Sequence, residues 1–243
     1  MSAALLVARL LEPSVDEARV RRMLIDLCDR FVVQVPHGVA PATLTAFLRD
    51  EGFKGADDLQ SLDASRIDVV LASRRGIPIT LSIPYLMVGR ALGMKTRGIN
   101  FPGHFLLSAD DVLIDPLDAT LLRPTDIEQW LAEANLAQLG ASALATASPD
   151  DMAVRMLNNI KAIYAGRGDL VAVLAIIDCQ LPLVAETGPL HLERAEVWFH
   201  LGDPAAAAAV LDQARAELLG TRWEVEIDRR LRRLAGRPRT TLH

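Results

Sequence analysis

At 243 residues, with 51% hydrophobic and 23% charged side chains, the chain can form one large domain or two small ones and is too apolar to be disordered. A net charge of −5 argues against a nucleic-acid or anionic-membrane partner. The two cysteines, Cys28 and Cys179, lie far apart in no C-x-x-C motif, so neither a disulfide framework nor a zinc site is expected.

The N-terminal stretch MSAALLVARLLEPSVDE is apolar but lacks a leading basic region and a small-residue cleavage site. Neither a signal peptide nor a membrane span is expected, and a cytoplasmic location is the default. Ser14 with Glu17 reads as a capping box opening a helix, with Val20, Met23, Leu24, Leu27 and Phe31 at helical spacing. A second helix starts after Pro41 and is ended by Gly52. Ser65 is expected to cap a third, with Ile67, Val70 and Leu71 on one face and Gly76 as its stop. A strongly apolar helix follows from about Pro78 to Leu92, ended by Gly93. Pro84 inside it requires either a true start near Ser82 or a kink.

The period then changes. TRGINF, HFLLS and VLIDP read as strands, separated by the turns PG and ADD. Helix returns at Thr125 with a capping box to Glu128 and carries Ile127, Trp130 and Leu131. The Ala- and Ser-rich stretch ANLAQLGASALATASPDD reads as a connection, and Ser148-Pro149 opens the last section. There Gly168-Asp169 and Gly202-Asp203 stand 34 residues apart, and at the same offset Tyr164 matches Trp198, Ile163 matches Val197 and Ile177 matches Leu211. That period points to helix-turn-helix repeats of the tetratricopeptide kind. The end, RRLRRLAGRPRTTLH, is locally basic and reads as a solvated last helix. His37 falls in a loop, and His191 and His200 are too far apart around a helix to act as a ligand pair.

One constellation could carry chemistry. A two-residue loop at Ala109-Asp110 would place His104 opposite Asp115, with Cβ atoms about 5 Å apart on one face of a hairpin. A carboxylate on one imidazole nitrogen fixes the tautomer and raises the basicity of the other, which is the pair an adjacent nucleophile needs. Such a pair is also an ordinary satisfied polar contact, and a slip of register would separate it. No cysteine stands near the start of the apolar helix. Cys28 and Cys179 each sit among apolar residues and read as buried thiols.

RRGIPITLSIPYLMVGRALGM (Arg74 to Met94), GINFPGHFLL and VLIDPLDATLL together resemble the SirB1 family, which joins a transglutaminase-like domain to C-terminal tetratricopeptide repeats. The resemblance runs from about Leu44 to the C-terminus. It implies an α+β fold: a papain/transglutaminase-like core of helices plus a small antiparallel sheet over residues 1–135, then a helical tail over 148–243. In active transglutaminase-like proteins a cysteine opens the central helix, and a histidine and an aspartate lie on neighbouring strands. Aligned on Arg90–Gly93, the cysteine slot falls at about Pro78, with His104 and Asp115 in the other two positions. Sequences of this family commonly read GIP or GNP there, so the missing cysteine is a family feature.

Proline supplies neither a nucleophile nor an amide. Thr80 and Ser82 are nearby hydroxyls whose usual role is to cap the first turn. The sequence therefore reads as a non-catalytic transglutaminase-like protein, a binding or regulatory module with a protein or peptide partner and no cofactor. Its cleft would be shaped by Pro78, Thr80, Ser82, Phe101 and Gly103 beside the triad remnants His104 and Asp115. The rival is a hydrolase or acyl transferase using that pair with Ser82 or an activated water. A third reading has the cleft holding a small ligand or peptide. Oligomeric state is open.

Overall fold

The structure is a computed structural model and describes residues 2–35 and 39–235. His37 and the last part of the basic end, residues 236–243, lie outside the described residues. The chain divides into two compact units, residues 1–163 and 164–243. Among the described residues no helix is long and apolar enough to cross a membrane.

The first unit runs α1 (Ser2–Leu11), α2 (Glu17–Gln34), α3 (Pro41–Asp50), β1 (Lys54–Gly55), a 3-10 turn (Leu62–Ser65), α4 (Ile67–Ser73), β2 (Arg75–Gly76) and α5 (Pro78–Ala91). It continues with β3 (Thr96–Ile99), β4 (Leu106–Ala109), β5 (Val112–Asp115), β6 (Thr120–Leu122), α6 (Pro124–Glu133), a 3-10 segment (Ala137–Leu144) and α7 (Pro149–Gly166), which carries the boundary. β3 to β6 form one antiparallel sheet in chain order, while β1 and β2 make a two-residue parallel pair. Helix α5 is the centre. It touches β3, β4, α2, α3 and α4 and is buried almost all round, which is why its sequence shows little helical amphipathicity. A second apolar layer joins the sheet to α6 through Ile99, Phe101, Leu106, Ile127 and Leu131.

Helix starts in this unit share one device. In α3, α5, α6 and α7 a proline occupies the first helical position, where a missing amide costs nothing. The side chain two residues after that proline reaches back to the amide before it: Thr43 to Ala40 (2.9 Å), Thr80 to Ile77 (3.2 Å), Asp126 to Arg123 (2.8 Å) and Asp151 to Ser148 (2.8 Å). This corrects two expected caps. The helix after Thr125 is closed by Asp126 rather than Glu128. Asp16, not Ser14, caps α2 by accepting from the Arg19 amide at 3.1 Å, while Ser14 bonds Glu12. Ser65 likewise belongs to the 3-10 turn, its hydroxyl buried, and α4 ends at Arg74 in the left-handed region rather than at Gly76. Helix α5 begins at Pro78, so Pro84 lies in its interior.

The β4–β5 turn also differs from the expectation. Ala109 pairs with Val112, so the loop is Asp110-Asp111, with φ of 44° and 66°. A two-residue hairpin with both central residues at positive φ favours short polar side chains over alanine. Moving the turn by one residue moves each partner by two, so continuing this register brings Leu106, not His104, opposite Asp115.

The second unit contains α8 (Leu170–Gln180), a 3-10 turn (Leu181–Leu183), α9 (Gly188–His200), α10 (Pro204–Glu217) and α11 (Arg222–Ala235). The 34-residue period recurs in its hydrogen bonds. Gly168 and Gly202 both have positive φ, at 73° and 82°. Asp169 and Asp203 donate their amides to the carbonyls of Tyr164 (3.0 Å) and Trp198 (3.1 Å). Their carboxylates then cap the next helices at Ala172 (3.0 Å) and Ala206 (2.8 Å). Val173, Ile177, Leu190 and Val197 form one core and Ala195, Ala207, Leu211 and Ile227 a second. His191 is buried and faces Glu217 at 3.3 Å, whereas His200 is exposed.

Candidate functional site

The site is assembled around the entry of α5. β2 leads into Pro78 and pairs with β1, whose Gly55 amide donates to the Leu117 carbonyl at 2.8 Å. The Leu117 amide in turn donates to Asp115 Oδ1 at 2.8 Å. This chain of bonds brings Asp115, at the end of β5, to the same end of the unit as the start of α5. Glycine at position 55 lets the Leu117 side chain pack close, since a Cβ there would lie 2.8 Å from its terminal methyl and push it aside.

Pro78 is half-buried at the first helical position. The Thr80 hydroxyl is fully buried, lies 2.7 Å from the Ala64 carbonyl and 3.0 Å from that of Ile77, and accepts from the Ile77 amide. The Ser82 hydroxyl, also fully buried, donates to the Ile79 carbonyl at 2.7 Å. Both hydroxyls are thus engaged by backbone. Neither thiol is activated: Cys28 and Cys179 are half-buried rather than fully buried, and desolvation raises both.

His104 lies before β4, in the turn Phe101–His104, where Gly103 has φ of 76° and faces open space. Its exposed ring stacks on Trp130 of α6, centroids 4.5 Å apart and planes 14° from parallel. Phe101 is buried and meets the same indole edge-on at 6.0 Å. Arg155 of α7 fixes the turn from the other side, donating to Asn100 Oδ1 at 2.6 Å and to the Phe101 carbonyl at 3.4 Å.

No hydrogen bond joins His104 to Asp115 among the described residues; the carboxylate is held by Leu117 instead. The two are close enough to interact through their charges. Burial pushes the Asp115 carboxyl above the usual aspartate range, helped by the Asp118 charge, while the Leu117 amide and then His104 pull it down. Tyr85 of α5 is wholly buried, with no hydrogen-bond partner for its hydroxyl among the described residues. Burial drives that hydroxyl well above the ordinary tyrosine range, with the charges of Asp115 and Asp118 adding to the effect.

The structure therefore gathers Phe101 and His104 around Trp130, places Gly103 in the turn between them, leaves Asp115 near His104 without a bond, and turns Thr80 and Ser82 inward. Sequence reasoning passed over Trp130 as a site residue, although an aromatic on the helix after the hairpin was visible. Tyr85 and Arg155 carried no sequence signal, since each depends on which helix face meets the sheet.

Residues 17–158 match the family model described as the transglutaminase-like superfamily. A UPF0162 protein of Pseudomonas aeruginosa is 29% identical over 205 residues, covering 81% of this chain and 74% of that protein. One from Xylella fastidiosa is 29% identical over 231 residues, covering 85% and 79%. Human F-box only protein 21 is 28% identical over 145 residues, 55% of this chain and 23% of that protein. No solved structure matches the chain.

Proposed function

The chain belongs to the transglutaminase-like superfamily, and from that premise we propose that it is a non-catalytic member, a binding or regulatory protein of the cytoplasm. The observation that carries this reading is the start of α5. The resemblance puts the family's nucleophile slot at Pro78, and that proline is set in the same proline-and-reach-back device that opens α3, α6 and α7, which supports a structural role. The burial of Thr80 and Ser82 and their bonds to backbone carbonyls support this reading, because neither hydroxyl is presented to a substrate at the helix start. The stacking of His104 on Trp130 supports the same reading, because a general base oriented by an indole face lacks the carboxylate that fixes its tautomer.

The finer assignment follows the same line. The bacterial relatives and the motif block support a SirB1-type protein, and the repeated Gly-Asp turns support a tetratricopeptide-like tail over residues 148–243 after a transglutaminase-like domain over 1–135. A tail of that kind presents helix faces to a protein or peptide. The test uses thiol- and hydroxyl-directed covalent probes on the intact chain. Absence of labelling at residues 78–82 and 101–115 is expected, and specific labelling there would sink the proposal.

The rival reading, a hydrolase or acyl transferase, draws on one observation: the charge of His104 still favours the Asp115 carboxylate. It requires a turnover that His104→Ala abolishes without unfolding the protein. The non-catalytic reading expects that variant to change only stability or binding.

A further inference from the structure

The outer side of α2 takes no part in the candidate site or in the core. Val20, Leu24, Leu27 and Phe31 turn inward, and the helix packs on α4 and α5. On the opposite side Ala18, Arg22, Ile25, Asp29 and Val33 follow one another three or four positions apart, which lines them up along one face of a helix. All five are exposed, Ile25 at 59% and Val33 at 79%, and Val32 beside them is 55% exposed, so three β-branched side chains stand together in water.

The charges on this helix run against its own field. A helix favours acidic groups at its start and basic ones at its end. After Glu17, α2 instead carries Arg19, Arg21 and Arg22 in its first two turns, then Asp26 and Asp29, with no basic residue in its last turn. Arg21 is bound to Glu17 and Arg30 to Glu51. Arg22 comes only within 3.6 Å of Asp16. Asp26 and Asp29 have no hydrogen bond or ion pair among the described residues.

A basic first half followed by an acidic second half is complementary to itself when reversed. About a two-fold axis passing between Ile25 and Asp26, an antiparallel copy sets Arg22 opposite Asp29 twice and the small Ala18 opposite Val33 twice, with the two Ile25 side chains meeting at the axis. In the parallel order Arg22 would meet Arg22 and Asp29 would meet Asp29. We propose that the outer face of α2 is a self-association surface on which a second copy of this chain docks antiparallel about that axis. Burial of Ile25, Val32 and Val33 drives the contact, and the crossed Arg22–Asp29 pairs select the antiparallel order. The 18-residue helix spans about 27 Å, so the contact is small and the dimer is weak and reversible.

The test is sedimentation velocity of the full chain over rising protein concentration, with circular dichroism to confirm that each variant folds. A monomer–dimer equilibrium is expected, abolished by Ile25→Glu. Arg22→Asp and Asp29→Arg, each alone, should weaken it about tenfold or more, because each turns two attractions into two repulsions. Mixing those two variants should restore the dimer, since every crossed pair in the mixed dimer again joins opposite charges. Glu128→Arg, an exposed charge on α6, should change nothing. A chain that stays monomeric at every concentration would refute the proposal and leave the face to a different partner. A dimer that survives Ile25→Glu would place the interface elsewhere and refute it as well. A dimer lost in Ile25→Glu but indifferent to the charge reversals, or not restored by mixing, would overturn the antiparallel arrangement.

Discussion

Replacing Thr80 by valine tests whether the entry of α5 is architecture or chemistry. Valine keeps the shape and removes only the hydroxyl, which is fully buried and contacts the Ala64 and Ile77 carbonyls and the Ile77 amide. The Ile77 amide retains a second acceptor, the Ala64 carbonyl at 3.1 Å, so neither backbone group is left wholly unpaired. The cost therefore falls between one net hydrogen bond and one buried orphan, about 1–2 kcal/mol. For a chain of this size that corresponds to a fall of about 2–8 °C in melting temperature. Ser82→Ala is the contrast. It removes a bond from a mid-helix serine back to its own helix and brings in the best helix former, so it should cost less than about 1 kcal/mol. Thermal and urea unfolding of the intact protein measure both, and hydrogen exchange at the Ile77 amide reports the local loss. If Thr80→Val melts within about 1 °C of the parent, its hydroxyl does not hold the helix start and the structural account of Pro78 fails.

Asp115→Asn should raise stability at neutral pH, because burial lifts the carboxyl's folded value above its unfolded one and ionisation therefore works against folding. The aspartate's contribution is intact below its unfolded value and is lost as pH rises through the folded one, so melting curves of variant and parent should converge in acid. Gly188→Ala should destabilise the second unit by about 1–3 kcal/mol, since its new Cβ would lie 2.3 Å from the Trp223 ring. A variant that melts like the parent would refute that close approach. His191 is buried, and desolvation holds its imidazole below the ordinary range despite Glu217. Stability of the second unit should fall as pH drops below about 6.5, with His191→Gln flattening that dependence in circular-dichroism melts.

The helices of the first unit were legible because their starts are written locally. Proline at the first turn and apolar spacing are properties of neighbouring residues, and α3 and α5 begin where those signals stand. The family block was legible for a different reason: residues 74–116 form a continuous motif, and the family model spans residues 17–158 around it. The 34-residue period likewise survives as matched turns at Gly168-Asp169 and Gly202-Asp203, since a left-handed glycine followed by a capping aspartate is again local chemistry.

The hairpin shows where local reading ends. Sequence alone placed the turn at Ala109-Asp110, but positive φ at two successive positions selects Asp110-Asp111, and that single step takes His104 out of register with Asp115. What His104 then contacts is a tertiary matter. Trp130 reaches it from a helix 26 residues further along the chain, and Arg155 holds its turn from 51 residues away. The sequence by itself determined the proline-led starts of α3 and α5, the 34-residue period and the absence of a cysteine at the head of α5. Only the tertiary structure decided that Thr80 and Ser82 turn inward and that His104 leans on an indole rather than a carboxylate, because side-chain partners across the core depend on which faces meet, and no local pattern encodes that.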